Sequence, residues 1–265
     1  MAAAGMIFAA GCSNNAANRI STAVENTMAE ATVAETTLAG EESSSVEAEN
    51  LDLSADDGPL VIAEQGMFSA GGITVTSEGT FDPENHWEES GVGQTAHVDH
   101  ANVFYQIPEN EMGLPMVFLH GYGQSRMGWM TTPDGREGWS DLFLRKGHSV
   151  FLVDGPRCGE AGATSVSGDI STKTVDQRWY TQFRLGCWED GKSVANEGSQ
   201  FSNDEISVDR FFRQMTPDTG MTSDMGADFD GEMVAKAMAA TIDEVYEMTG
   251  KDSILVTHSQ GGRAG

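Results

Sequence analysis

Ser253-Ile254-Leu255-Val256-Thr257-His258-Ser259-Gln260-Gly261-Gly262-Arg263-Ala264-Gly265 is an apolar, β-branched run that turns abruptly into a Ser and then a pair of glycines. A strand followed at once by Ser and small residues reads as a nucleophile elbow. There the chain makes a tight, strained turn, lifts the Ser259 hydroxyl above the sheet edge, and aims the next backbone N–H groups at an incoming oxyanion. Immediately upstream, residues 228–248 carry the clearest helical pattern of the chain. Met233, Val234, Ala237, Met238, Thr241, Ile242, Val245 and Tyr246 fall on one stripe, with Asp228 or Asp230 as N-cap and Gly250 as terminator. Helix and strand together deliver the chain to the elbow.

Further upstream, Leu114-Pro115-Met116-Val117-Phe118-Leu119-His120-Gly121 and His148-Ser149-Val150-Phe151-Leu152-Val153-Asp154-Gly155 hold continuous apolar runs. Such runs suit strands covered on both faces of a parallel sheet. Between them, residues 139–147 have the apolar spacing of a short helix, with Arg145 and Lys146 in its last turn and Gly147 at its stop. Strand, helix, strand in this order predicts a right-handed parallel crossover. Toward the N-terminus, Leu60-Val61-Ile62-Ala63 and Gly71-Gly72-Ile73-Thr74-Val75 read as a strand pair with glycines at the turn, and His97–Ile107 as a further strand ended by Pro108. These form an antiparallel edge.

From Pro156 to about Thr222 the pattern loosens into Gly, Ser, Asp and Asn with scattered aromatics, among them Trp179, Tyr180, Phe183, Phe201 and Phe211. An excursion of this length predicts short helices lying over the sheet as a cap or lid. Residues 13–59 combine Ser, Thr, Ala, Asn and many acids with Arg19 and no aromatic side chain, too little apolar surface to offset chain entropy. That segment reads as an acidic disordered tether.

The net charge of −26 sets the class of partner. A phosphate backbone would be repelled, so nucleic acid is excluded as a partner. No apolar run approaches the length of a spanning helix. His97, Asp99 and His100 invite a metal reading, but a strand puts residues 97 and 99 on one face and 100 on the other, so no metal is expected there. Thr132-Pro133-Asp134-Gly135-Arg136 reads as a turn, and Asp154 as the end of a strand. In an oxidising compartment Cys158 and Cys187 are open to pairing as a disulfide or to remaining as two thiols.

Met1–Cys12, ending in small residues before Cys12, resembles the lipobox of bacterial lipoproteins, which implies a lipidated Cys12 and an extracytoplasmic, membrane-tethered or secreted protein. The folded part resembles the α/β-hydrolase fold, in particular bacterial serine esterases. The resemblance rests on Val117-Phe118-Leu119-His120-Gly121-Tyr122-Gly123, on Trp129–Trp139 running through Phe143-Leu144-Arg145-Lys146-Gly147-His148 to Asp154, and on Thr257-His258-Ser259-Gln260-Gly261-Gly262. It implies a mostly parallel sheet with flanking helices over residues 60–265, with 156–222 as the cap insertion.

The resemblance further implies that Ser259 attacks a carboxylic ester to give an acyl-enzyme, without a cofactor. The oxyanion would be held by the N–H groups of Gln260 and Tyr122, on a loop supported by His120, Gly121 and Gly123. His120 braces that loop and takes no part in the chemistry. The elbow departs from the usual pattern in having Thr257 where the first Gly of Gly-x-Ser-x-Gly stands. The family's acid and His follow the Ser in chain order, and no residue follows Gly265. The expectation is therefore an N-terminal fragment ending at the elbow, with a scaffold that only binds a ligand as the alternative. Asp at the elbow would point to haloalkane or epoxide hydrolysis, so Ser259 argues against both. The expected partner is a small ester, and the oligomeric state is not legible.

Overall fold

The computed structural model describes residues 58–87, 91–168, 175–217 and 229–265. The lipobox-like segment with Cys12, nearly all of the proposed tether, and Asp228 lie outside those residues.

Strand β1 (Ile62–Thr76) and β2 (Thr95–Pro108) form a long antiparallel ribbon, followed by β3 (Met116–Leu119), helix α1 (Met127–Met130), α2 (Trp139–Arg145) and β4 (Val150–Asp154). Then come α3 (Asp176–Gln182), the short strands β5 (Gly186–Glu189) and β6 (Lys192–Ala195), α4 (Glu205–Arg213), α5 (Gly231–Thr249) and β7 (Ile254–Thr257). The main sheet has the order β1-β2-β4-β3-β7. β3 is parallel to both β4 and β7, whereas β2 is antiparallel to β1 and to β4. The sheet is thus mixed rather than mostly parallel, because the N-terminal ribbon contributes as many ladders as the parallel strands.

Every residue of β3 and β4 is buried, and alternation explains why. Val117, Leu119, Phe151 and Val153 point to the face covered by Val234, Ala237, Met238 and Val245 of α5. Met116, Phe118, Val150 and Leu152 point to the opposite face, against Leu144 of α2 and its neighbours Phe143 and Trp129. Two covered faces require apolar residues at both parities of the strand, which is the continuous run seen in the sequence. Helix α5 starts where the Asp230 carboxylate accepts the Met233 N–H at 2.9 Å, and ends at Gly250 in the left-handed region (φ 65°).

Two readings need correction. The Gly71-Gly72 pair is not a turn between two strands but lies within β1. Pairing is interrupted between Gly71↔His100 and Ile73↔Val98, where Gly72 and Asp99 both have positive φ (79° and 58°). A Cβ at Gly71 would stand 2.8 Å from the Ala237 Cα, so the glycine lets α5 lie directly on the strand. Turn and mid-strand irregularity both demand a left-handed residue, so the same dipeptide signals either. The excursion after β4 is also not made of short helices alone, since β5 and β6 form a hairpin. Asp190 and Gly191, both at positive φ (47° and 79°), supply its turn, a local signal present in the sequence.

Candidate active site

The parallel register brings the C-terminal ends of β3, β4 and β7 to one side of the sheet, with Leu119 level with Val153 and with Thr257. His258 continues the extended path (φ −121°) and donates its N–H to the Leu119 carbonyl at 3.1 Å. Ser259 then takes φ +51° and opens a 3-10 turn, Ser259–Arg263. A left-handed non-glycine costs about 1–3 kcal/mol and persists only where its surroundings dictate it. Here they do. Gly261 is buried, and a Cβ on it would sit 2.5 Å from the His120 carbonyl oxygen, so the turn can close on the end of β3 only because position 261 has no side chain. Thr257, the departure from the Gly-x-Ser-x-Gly pattern, faces Gly262 and Gly265. A Cβ on Gly262 would make ordinary contact with its side chain at 3.5 Å, whereas one on Gly265 would crowd it at 3.1 Å, so the missing side chain at 265 makes room for the extra one.

The loop after β3 lies against this elbow. A Cβ on buried Gly121 would come within 3.1 Å of Ser259 Cβ and 2.8 Å of His258 Nδ1. The Gln124 N–H returns to the Gly121 carbonyl at 3.3 Å, and Gly123 (φ 68°) occupies the third position of the resulting turn, where a positive φ is required. Thr216, at the far end of the excursion, fastens the same loop: its N–H donates to Gly123 O at 2.9 Å and its hydroxyl to Gln124 O at 3.1 Å.

Each titratable neighbour is engaged. His120 is buried and its Nε2 accepts the Gly155 N–H at 3.1 Å, which leaves the proton on Nδ1, 2.9 Å from the Gly121 carbonyl. The imidazole therefore ties the end of β3 to the end of β4. His258 has Nδ1 3.2 Å from Gln124 Oε1 and its ring edge-on to Trp129. Although its surface is partly open, the protein crowding its ring, and secondarily the His120 imidazole, hold its pKa below the usual value. Asp154 is buried, accepts the backbone N–H groups of Arg126 (2.7 Å) and Glu160 (3.0 Å), and is ion-paired to the Arg126 guanidinium at 2.9 Å. It fixes the loops behind the site.

Ser259 and Tyr122 line one cleft of about 280 Å³, together with Gln124 and His258. Its remaining wall, among the described residues, consists of Trp179, Phe183, Leu185 and Phe211, all from the excursion. Gln260 faces a separate cavity of about 20 Å³ behind the elbow, and its side-chain Nε2 is buried with no hydrogen-bond partner among the described residues. Sequence reasoning picked out Ser259 and Tyr122 and missed Gln124 and Leu185, for which no local signal exists.

Asp99 does not join a histidine cluster. Its left-handed backbone breaks the strand alternation, and its carboxylate meets Arg157, itself at φ 69°, at 2.8 Å and 3.1 Å. The Ser165 N–H at 3.2 Å and the Ser165 hydroxyl complete the cage. Cys158 is buried, and the Cys187 thiol donates to Glu189 Oε1 at 3.2 Å. Asp134 caps its own turn by accepting from Thr132 and Arg136.

No protein-family model matches the chain. Among solved structures, a novel bacterial esterase determined at atomic resolution superposes with a TM-score of 0.60 at 28% identity, over 77% of this chain and 63% of the esterase. The chain is thus similar to an esterase-like hydrolase. A second likeness agrees: over 49 residues, 18% of this chain and 14% of its relative, the sequence is 45% identical to the probable secreted lipase phiG of a fungus (Fungal sp. strain ATCC 74256). The chain spans less than two thirds of the length of either protein.

Proposed function

We propose that this chain carries the nucleophile and oxyanion-binding loop of a carboxylic ester hydrolase, with Ser259 as nucleophile. The observation that carries the reading is the left-handed Ser259, exposed at the end of β7 and lining the same cleft as Tyr122. In the reaction, Ser259 Oγ adds to the acyl carbon while its proton passes to a general base, and the carbonyl electron pair becomes an oxyanion facing the backbone N–H groups of Gln260 and Tyr122. The pair then re-forms the carbonyl and expels the alcohol, which takes up the proton. Water repeats the sequence on the acyl-enzyme. The esterase resemblance calls for an imidazole later in chain order.

Supporting the same reading, His120 and Gly155 hold the loop rigidly, so the oxyanion donors need not reorganise when charge develops. An extracytoplasmic location is supported by the likeness to a secreted lipase. Fluorophosphonate labelling tests the nucleophile: the adduct maps to Ser259, and Ser259→Ala takes up none. Hydrolysis of p-nitrophenyl acetate falls by roughly 10³-fold or more in that variant. A folded chain that is never phosphonylated at residue 259 overturns the assignment.

A further inference from the structure

We infer that the cleft beside Ser259 selects compact, uncharged esters bearing an aryl group, and that Trp179 and Phe183 determine this specificity; the inference rests on Ser259 being the nucleophile. Three observations carry it. The first is the composition of the wall. Around Ser259 stand Tyr122, Trp179, Phe183, Leu185 and Phe211, and among the described residues no Asp, Glu, Lys or Arg lines the cleft. In a chain of net charge −26, such a neutral patch at the reactive hydroxyl excludes charged groups from the adjoining subsite, and the surrounding field disfavours anionic substrates further.

The second is the arrangement of the rings. Trp179 and Phe183 stand four residues apart at the end of α3, so the helix stacks them on one side, with centroids 4.8 Å apart and planes at 66°. Tyr122 meets Trp179 at 5.3 Å and 47°. Trp179 is 4% exposed and fixed, whereas Phe183 is 48% exposed, so one ring forms the base of the aromatic wall and the other stands open to a guest. Tilted rings at these separations offer both faces and edges, the geometry in which an added aromatic ring gains more than its buried area alone provides. The third is size. About 280 Å³ lies at the lower end of small-molecule pockets, enough for a single ring and its ester but short for a long acyl chain.

Unhydrolysed amides test this without turnover. Benzamide places the ring on the acyl side, acetanilide on the leaving-group side, and acetamide and octanamide serve as the small and long-chain references. Each is used to protect Ser259 from fluorophosphonate labelling. The expected result is that benzamide or acetanilide protects at a concentration roughly tenfold or more below acetamide, and below octanamide; which of the two does so assigns the ring to the acyl or the alcohol side. Labelling that is blocked best by octanamide, or equally by all four, overturns the substrate class while leaving the nucleophile standing. The cleft is also read independently of labelling by titrating benzamide into Ser259→Ala and following tryptophan emission. A saturable change that weakens roughly tenfold in Ser259→Ala/Phe183→Ala, where the altered ring is largely exposed and folding is undisturbed, supports the inference. No saturable change, or one indifferent to Phe183→Ala, overturns it.

Discussion

The central sheet and the excursion between β4 and α5 are held together in different ways. In β3 and β4 every side chain is buried between α5 and α2, whereas α3 buries Trp179 and Tyr180 and α4 buries only Ser207. The sheet is held by packing. Much of what binds the excursion to the rest of the chain is individual hydrogen bonds: Arg136 to Gln200 O, Arg210 to Pro133 O, and Thr216 to Gly123 O and Gln124 O. The elbow sits on the first region, while the second supplies most of the cleft wall. On the proposed reading, the platform for chemistry is therefore the well-packed part of the molecule and the surface proposed to select substrate is the less packed part, the usual division between scaffold and binding loops.

The largest effect expected from this contrast is in the sheet. Phe118, fully buried and in contact with Trp129 and Phe143, has no means of collapse around a deletion. Phe118→Ala should cost about 3–5 kcal/mol, seen as a lower urea midpoint for the whole cooperative transition. A loss confined to the fluorescence of the excursion would break the distinction.

Next in size is the junction between the regions. Burial works against the Asp99 charge, but hydrogen bonds from Arg157 and Ser165 overcome it and hold the pKa at about 2, below the ordinary 3.8. A depressed carboxylate pKa contributes stability that is present above the unfolded value and lost as pH falls through the folded one. The clasp from β2 to residues 157–165 should therefore loosen between about pH 4 and pH 2. Asp99→Ala removes the carboxylate paired with the buried Arg157 guanidinium and should cost about 3 kcal/mol at neutral pH. Hydrogen exchange localises both effects, and an acid transition that is unchanged in Asp99→Ala counts against the clasp.

The same contrast explains what could be read from the chain. The runs at 116–119 and 150–154 are legible because burial on both faces leaves one kind of sequence solution, and the partly buried run at 254–257 because Leu255 and Val256 pack on opposite faces of the sheet. The elbow is legible because a strained Ser needs a small residue beside it, and Gly261 is that residue. The cleft wall is not legible. Its aromatics are visible singly, but what brings Phe211 and Trp179 to Ser259 is contacts between residues far apart in sequence, which no periodicity records. Gly71-Gly72 fails for another reason, since it marks a left-handed backbone correctly and leaves its context undetermined. Asp190-Gly191 is an ordinary hairpin signal, readable between its short strands.

Within the excursion, Tyr180 is fully buried and its hydroxyl donates to Asn203 Oδ1. Tyr180→Phe removes that bond at constant shape and should cost about 1 kcal/mol. Amides of α3 and α4 should exchange faster while those of β3 and β4 keep their protection. Equal loss in both would mean that the two regions unfold as one.

The smallest effect is the most diagnostic. Thr216→Val preserves the volume and the backbone bond to Gly123 O but deletes the hydroxyl that reaches Gln124 O. The expected cost is about 1 kcal/mol or less, too small to move the urea midpoint clearly. It falls, however, on the loop that carries Tyr122 and on the residue that holds His258. Exchange of the Gly123 and Gln124 amides should quicken, and phosphonylation of Ser259 should slow by a few fold, with both restored in Thr216→Ser because the hydroxyl returns. A slowing of similar size in Thr216→Ser would show that the methyl, and hence packing, fastens the excursion to the loop. The excursion would then be held by the same means as the sheet.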